Sequence, residues 1–350
     1  MRIFSGIQPT GRKHLGNFIG AIEPYVHHQE RGEAIYCVVD LHATTVPYDP
    51  ATLRERVYDT AAILLAAGVD PDRCVFFRQG DVPEHTELTW LVSSVTSFGD
   101  LGRMHQFKDK AGSQRDLVSS SLFTYPVLMA ADVLVYRAHE VPVGDDQRQH
   151  VELMRDVAER FNARFAPGLE GDAAPLVVPE GVYREVGARI MDLQEPTRKM
   201  STTGGTEQGT VLVLDEPATI ERKFKRAVTD SGAEVRHDRD GKPGVSNLIE
   251  IYAAVRGLSF DAVEREFADA RYGDFKGAVA EAVIERLAPV QERYAELRPD
   301  EAALEAVLAA GAAKARALAA PTVARARELM GVGPNAGRVQ ATGRSGHTGV

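Results

Sequence analysis

Several short stretches of this chain carry side chains whose types and spacing could do chemistry. His14-Leu15-Gly16-Asn17 follows the apolar run Arg2 to Ile7 and the turn-forming residues Gln8-Pro9-Thr10-Gly11. His14 and Asn17, three apart, are expected on one side of a first helical turn, both able to donate hydrogen bonds to a phosphate. Gly16 between them leaves bare backbone for a flat base or sugar. A helix amino terminus adds unpaired N–H groups and a partial positive charge. Taken alone the tetrapeptide is a weak signal, and a capped surface helix with a solvated histidine accounts for it as well.

A second stretch, Glu195-Pro196-Thr197-Arg198-Lys199-Met200-Ser201-Thr202-Thr203-Gly204-Gly205, is polar and lacks regular periodicity. It reads as a mobile loop able to close on a bound nucleotide. A third, Ser121 to Leu134, is apolar except for one carboxylate, Asp132. A charge in such a run needs a donor, and a structural anchor, a catalytic acid and a ligand hydrogen bond all remain open. Glu140 to Val143 forms a strand-like run that ends in Gly144-Asp145-Asp146-Gln147 and leads into a helix, and Asp40-Leu41-His42-Ala43 is another strand-end turn. An N-capping aspartate and a structural histidine are the plain readings of these two turns.

The elements that must position these residues follow from hydrophobic periodicity. Arg2 to Ile7, Ala34 to Asp40 and Cys74 to Arg78 are strand-length apolar runs. Between them lie helical stretches, one opened by Asp49-Pro50 as N-cap and first helical residue, with Leu53, Val57, Ala61, Leu64 and Leu65 at helical spacing. Alternation of this kind predicts an α/β fold, a doubly wound parallel sheet of the Rossmann type, which binds ligands at the carboxyl ends of its strands. From Asp145 onward helical spacing dominates, in Gln149 to Phe161, Ala218 to Val228, Val245 to Arg256, Phe260 to Ala270 and Asp274 to Leu297. Asp300 to Met330 is alanine-rich, starts with a capping aspartate, is expected to break at Pro321 and meets Gly331 as a stop. We therefore expect a sheet-based domain over 1–190 and a smaller helical domain over 191–298. Helices over 299–331 are expected to pack back on the first domain, and 332–350 to be a disordered tail.

Composition narrows the function. With 350 residues, 44% hydrophobic and 26% charged, the chain can bury a large core and two domains. A net charge of −9 argues against a whole-surface nucleic-acid binder but leaves room for a local basic patch. Glu221-Arg222-Lys223-Phe224-Lys225-Arg226 is the densest such run, either a solvated helix face or a set of phosphate contacts. Cys37 and Cys74 lie in apolar runs without metal-binding spacing, so free core thiols and no dedicated metal site are expected. No apolar run approaches the roughly 20 residues that span a bilayer, and the amino terminus has no secretory pattern. A cytoplasmic protein without membrane contact is expected.

The first motif resembles that of class I aminoacyl-tRNA synthetases, whose His-Ile-Gly-His signature occupies the same strand-to-helix turn. Asn17 departs from it, but Gly6-Ile7-Gln8-Pro9-Thr10-Gly11 before the motif and Gly16-Asn17 within it look like the tryptophanyl branch. Lys199 to Thr203 resembles the family's Lys-Met-Ser-Lys-Ser loop, with Thr202 in place of the second lysine. Met129-Ala130-Ala131-Asp132 and Gly144-Asp145-Asp146-Gln147 follow in the family's order, and the likeness covers nearly the whole chain through about Gly331.

This resemblance implies an enzyme that activates L-tryptophan with ATP, accompanied by Mg²⁺ and without a prosthetic group, then charges tRNA(Trp) as a homodimer. It makes 1–190 the catalytic domain, with an inserted substrate and dimerisation segment, and 191–298, including the Lys-Met-Ser loop, the tRNA-binding domain. Gln8, Pro9, Thr10, His14, Gly16, Asn17, Gly144, Asp145, Asp146, Ile190, Lys199, Met200, Ser201, Thr202 and Thr203 are then expected around ATP. Asp132 becomes the acceptor for the indole N–H, Tyr125 and Gln147 hold the amino group, and Phe4, Met129, Val141, Val143 and His42 wall the pocket. Lys199, Lys110 and Gln8 are the expected catalytic set. Arg198, Lys108 or Lys110 is expected to replace the charge absent at Thr202. Tyrosyl-tRNA synthetase, a small nucleotidyltransferase and a synthetase-like accessory or sensor protein that binds tryptophan and ATP are the competing readings.

Overall fold

The computed structural model describes residues 1–105, 119–183, 189–202 and 204–333. Five strands, β1 (Arg2–Ile7), β2 (Glu33–Val38), β3 (Val75–Arg78), β4 (Glu140–Pro142) and β5 (Glu180–Val182), form one sheet in the order β3-β2-β1-β4-β5. Every pairing is parallel, from Arg2↔Glu33 through Ile7↔Val38 at the centre and Ile35↔Val75 through Val38↔Arg78 toward one edge. Successive residues of β2 face opposite layers: Tyr36 and Val38 join one apolar cluster, Ile35 and Cys37 the other. Burial on both faces explains why these strands read as continuous apolar runs rather than alternating ones. The expected α/β, doubly wound parallel sheet is therefore present, with helices over both faces.

The short edge strand β5 was not expected from sequence. Glu180-Gly181-Val182 has little intrinsic strand preference, and its conformation follows from pairing with β4, Glu140↔Glu180 through Pro142↔Val182.

Local signals set the helix ends. Asp49 accepts the Thr52 N–H at 2.7 Å to open the helix Pro50–Ala67, which stops at Gly68 with φ 112°. Ser119 caps the helix Ser120–Leu134 that carries Asp132. Asp300 caps the long helix Glu301–Met330, and Gly331 ends it with φ 73°. The expected break at Pro321 does not occur. A proline inside a helix removes one backbone bond, but Ala315 and Ala319 before it and Val323 and Ala326 after it are buried in one cluster, and that packing holds both halves in line. Residues 334–350, most of the expected tail, lie outside the described residues. No helix among the described residues is long and apolar enough to cross a membrane.

The same terminal helix lies against β3, close enough that a Cβ on Gly311 would overlap the Phe76 carbonyl oxygen. Gly311→Ala should therefore lower unfolding stability by about 1–3 kcal/mol through overpacking, read as a reduced urea midpoint. An unchanged midpoint would refute the close approach.

Candidate active site

The sheet winds in opposite directions from β1 and β4, and their carboxyl ends flank a cleft of about 360 Å³. Its lining includes Phe4, Gly6, Gln8, His42, Tyr125, Met129, Asp132, Val141, Val143, Gly144, Asp146 and Gln147. All eight residues expected around tryptophan, its side chain and amino group together, thus share one cavity with Gln8, Gly144 and Asp146. The crevice at a topological switch point is where sheets of this kind bind ligands.

Asp132 is 2% exposed and meets three side-chain donors. His42 Nε2 lies 2.8 Å from Oδ2, while Gln79 Nε2 and His85 Nδ1 lie 2.7 and 2.6 Å from Oδ1. Burial by itself would raise the carboxyl pKa, but the hydrogen bonds and charge interactions of His42 and His85 outweigh it and hold the group well below the usual carboxylate range. An ionised carboxylate only accepts, so the facing nitrogens carry the protons. His85 Nε2 is then left to accept from the Tyr136 hydroxyl at 2.6 Å. Three of roughly four lone-pair positions on the carboxylate are filled, leaving one for a ligand donor in an otherwise apolar slot. Gln79 and His85 were not found from sequence: they lie 53 and 47 positions from Asp132, and no periodicity links them to it.

The other groups expected around the ligand are already paired. Tyr125 Oη is 2.9 Å from His150 Nε2, and burial pushes its hydroxyl up to about 12. Gln147 Nε2 donates to Asp146 Oδ2 at 2.7 Å. A Cβ on Gly144 would stand 2.7 Å from Asp146 Oδ1, so the bare backbone lets that carboxylate fold over the turn. Asp145 does not join them. It pairs with Arg148 at 2.8 Å and lies outside the cleft lining.

In the first motif, His14 and Asn17 cap each other. Asn17 N donates to His14 Nδ1 at 3.3 Å, and His14 N donates to Asn17 Oδ1 at 3.1 Å, before the short helix Leu15–Asn17 and a π-helical turn Phe18–Ile22. The capping box commits His14 Nδ1 as an acceptor and leaves Nε2 and the Asn17 amide nitrogen as the donors for a ligand. Burial, with the Lys13 and Lys199 charges, pushes the His14 imidazole down to about 4. Gly16 faces Ile190, 3.5 Å from its would-be Cβ to the Ile190 Cβ. Thr10 Oγ1 donates to Gln8 Oε1 at 3.4 Å, and Pro9 is buried beside them.

The second motif is anchored at both ends by Asp192, which is fully buried. Its carboxylate accepts the N–H groups of Gln194, Glu195 and Thr206 at 2.8, 3.1 and 2.8 Å. Met200 is buried and its N–H donates to the Ile190 carbonyl at 3.0 Å. Lys199 Nζ lies 3.5 Å from Asp146 Oδ1, so the loop touches one of the residues expected around ATP. Burial opposes ionisation of Asp146, and the Lys199 charge and local hydrogen bonds overcome it, lowering its pKa. Thr202 sits against Gly11, whose φ is 66° and whose added Cβ would collide with Thr202 Oγ1. The two motifs, nearly 190 residues apart in sequence, therefore meet.

Of the cations expected to replace the missing charge, Arg198 pairs with Glu195 at 3.3 Å. Lys108, Lys110 and Thr203 lie outside the described residues. Within the basic run, Lys223 turns inward to Asp215 at 2.7 Å and the Thr210 carbonyl at 2.6 Å, leaving a thinner positive face than the composition implied.

The family described as tRNA synthetases class I (W and Y) matches residues 1–288. Tryptophan–tRNA ligase 2 of Streptomyces avermitilis is 47% identical over 335 residues, spanning 95% of this chain and 97% of that one. The tryptophanyl-tRNA synthetase structure from Mycoplasma pneumoniae superposes with a TM-score of 0.87 at 33% identity, covering 95% of this chain and 98% of that one. A Campylobacter jejuni tryptophanyl-tRNA synthetase, solved with ADP and tryptophan, gives a TM-score of 0.78 at 32% identity over 95% of this chain and all of that one.

The His14 environment predicts an acid-side stability loss. An unfolded imidazole binds a proton near pH 6.5, whereas the folded one does so only at about 4. The unfolded chain holds the extra proton between these values, so stability falls as pH drops through that window, by up to roughly 3 kcal/mol. His14→Asn keeps a capping side chain and should flatten the pH 6.5 to 4 limb of urea-unfolding stability. Parallel profiles would contradict the assignment.

Proposed function

Because the chain belongs to the class I tRNA synthetases of the W and Y type, we propose that the cleft activates L-tryptophan with Mg²⁺-bound ATP and passes the aminoacyl group to tRNA(Trp). The protein is an aminoacyl-tRNA synthetase, a tryptophan–tRNA ligase. The observation that carries the assignment of roles is the ionised Asp132, with one acceptor position left, in the wall of an apolar slot. The indole N–H takes that position. A phenylalanine-like ligand has no donor and leaves the carboxylate short of a partner, a discrimination of roughly 10⁴-fold or more. Tyrosine also donates a proton, and the depth set by Phe4, Met129, Val141 and Val143 excludes it.

Tyr125 and Gln147 hold the amino group. ATP lies along Gln8, Pro9, Thr10, Gly16 and Asn17 toward Gly144 and Asp146, with Ile190, Met200, Ser201 and Thr202 closing over it; Thr203 is kept in the set on the resemblance alone. His14 donates from Nε2 as a neutral imidazole. The Lys199–Asp146 pair opens as nucleotide enters: the ribose hydroxyls take Asp146, and Lys199 turns to the phosphates. The tryptophan carboxylate attacks the α-phosphorus, pyrophosphate leaves, and Lys199 stabilises the charge that develops on it. Lys110 is kept as a further catalytic cation on the resemblance alone.

Trp90 and Phe98 are 81% and 79% exposed, and Phe98 packs at a tilt against Phe123, 4.7 Å between ring centroids. Large exposed aromatics of this kind mark an interaction surface, and a second copy of the chain is its proposed occupant. The helical region over 191–298 contributes to tRNA binding through Arg222, Lys225 and Arg226, and a cytoplasmic location accompanies a tRNA substrate.

Tryptophan-dependent exchange of pyrophosphate into ATP, followed by charging of tRNA(Trp), tests the reading. Absence of exchange would overturn it, and exchange without charging would favour the accessory or sensor alternative. Lys199→Ala should reduce exchange by about 100-fold or more, in line with the loss of a charge that stabilises the transition state, with tryptophan binding retained in a direct titration.

A further inference from the structure

Lys13 is a buried ammonium at the first motif for which neither capping nor ligand contact accounts. It is 6% exposed, and its Nζ donates to the Gln8 backbone carbonyl at 2.6 Å. Its own backbone carbonyl accepts the Val213 N–H at 2.9 Å, which fixes where the side chain starts. The charged groups facing it are His14 on its own turn and Arg56 and Asp59 on the helix Pro50–Ala67. Asp59 is already engaged: Oδ2 by Arg56 at 2.8 Å, Oδ1 by Arg298 at 2.7 Å and by Tyr294 at 3.0 Å. Lys13 makes no ion pair within 4 Å among the described residues, and Asp59, shared among three other donors, offsets its charge only in part.

The location of that charge matters. Lys13 is the chain neighbour of His14, and the Lys13 and Lys199 charges both disfavour its protonation. Thr202, the residue that stands where the related loops carry a lysine, packs against Gly11, two positions from Lys13. A leucine or methionine would fill the same volume without the cost of desolvating an ammonium, which a single carbonyl bond does not repay. A buried charge of this kind becomes favourable once an anion arrives beside it.

Resting on the synthetase reading above, we propose that Lys13 is a positioning residue for ATP. From behind the Gln8–Gly11 turn it holds the Gln8 carbonyl in place and supplies the second positive charge that Thr202 lacks. It does not touch the nucleotide. Its effect reaches the phosphates through the turn and through the low-dielectric interior.

The titration of Lys13 gives the proposal a signature. Burial and the Arg56 charge push its pKa down to about 8, against a partial opposing pull from Asp59. The charge is therefore lost as pH rises through about 8, and affinity for ATP should fall in that window. Folding stability should move the other way, because the unfolded lysine keeps its proton up to about pH 10.4 and the folded ammonium is relieved of its desolvation cost. A purely structural lysine has no reason to couple to ATP.

The experiment is a double-mutant cycle with Lys13→Met, which keeps the stem, and Thr202→Lys, read by tryptophan-dependent pyrophosphate exchange. Wild-type exchange establishes the synthetase reading first, so its absence is a failure of that reading and not of this one. Lys13→Met should raise the KM for ATP about tenfold or more while leaving the KM for tryptophan within about twofold. Thr202→Lys should raise kcat/KM for ATP at least about fivefold more in the Lys13→Met background than in the wild type. The wild-type fall in kcat/KM for ATP above pH 8 should vanish in Lys13→Met. Equal gains from Thr202→Lys in both backgrounds, or a lower melting temperature with unaltered exchange per folded enzyme, would overturn the proposal. Should Lys13→Met fail to fold, the wild-type pH profile decides: ATP affinity that stays level between pH 7 and 9 would overturn it as well.

Discussion

The site depends on how little β1 and β4 pair. These neighbours share a single register pair, Ile3↔Glu140, supported by the His139 N–H on the Arg2 carbonyl and by Ser5 Oγ on the Pro142 carbonyl at 3.3 Å. Beyond that contact, Gln8 belongs to one turn and Gly144 to another, and the space between them is the cleft. The chain crosses to β2 on one side of this pair and to β5 on the other, and the helical residues Tyr25, Tyr125 and Asp132 wall the gap. A sheet paired along its whole length here would have no floor for a ligand. The same divergence brings the residues after β1, β2 and β4 to one rim, which is why Gln8, His42 and Asp146 converge despite their spacing in the chain.

Buried charge is the second organising principle. Asp132 is held ionised by His42, Gln79 and His85, and Asp192 holds the loop of the second motif through backbone donors. Lys223 and Asp215 neutralise each other in the helical region. In each case the cost of burial is offset by hydrogen bonds to the charged form. Lys13 is the exception, with one carbonyl and no ion pair within 4 Å among the described residues, and it sits where a polyphosphate is expected.

The loop of the second motif is held by the protein's own contacts at several points. Met200 is tied to Ile190, Lys199 to Asp146, and Thr202 to Gly11. A loop that is partly in place needs less ordering when nucleotide arrives. Replacement of its second lysine by threonine removes charge, but the remaining contacts keep the loop against the first motif.

Much of the fold could be read directly from the residues. The three long apolar runs became β1, β2 and β3, and Asp49-Pro50, Asp300 and Gly331 marked helix ends where they were expected, because strand and helix periods and capping are local properties. Strand β5 and the unbroken passage through Pro321 were not legible, since one depends on pairing with β4 and the other on packing of both helix halves. At the site, residue types and motif order singled out Asp132, Gln147, Asp146 and Lys199 as candidates, and the resemblance they carry pointed to the family. Sequence could not say that His14 and Asn17 would cap each other, that Asp145 would turn to Arg148, or that His85 and Gln79 would hold Asp132. Nor could it distinguish Lys13 and Lys223, which turn inward, from surface lysines. Those outcomes depend on which distant groups the fold brings within hydrogen-bonding range and which it removes from water, and for a charged side chain that environment decides its role.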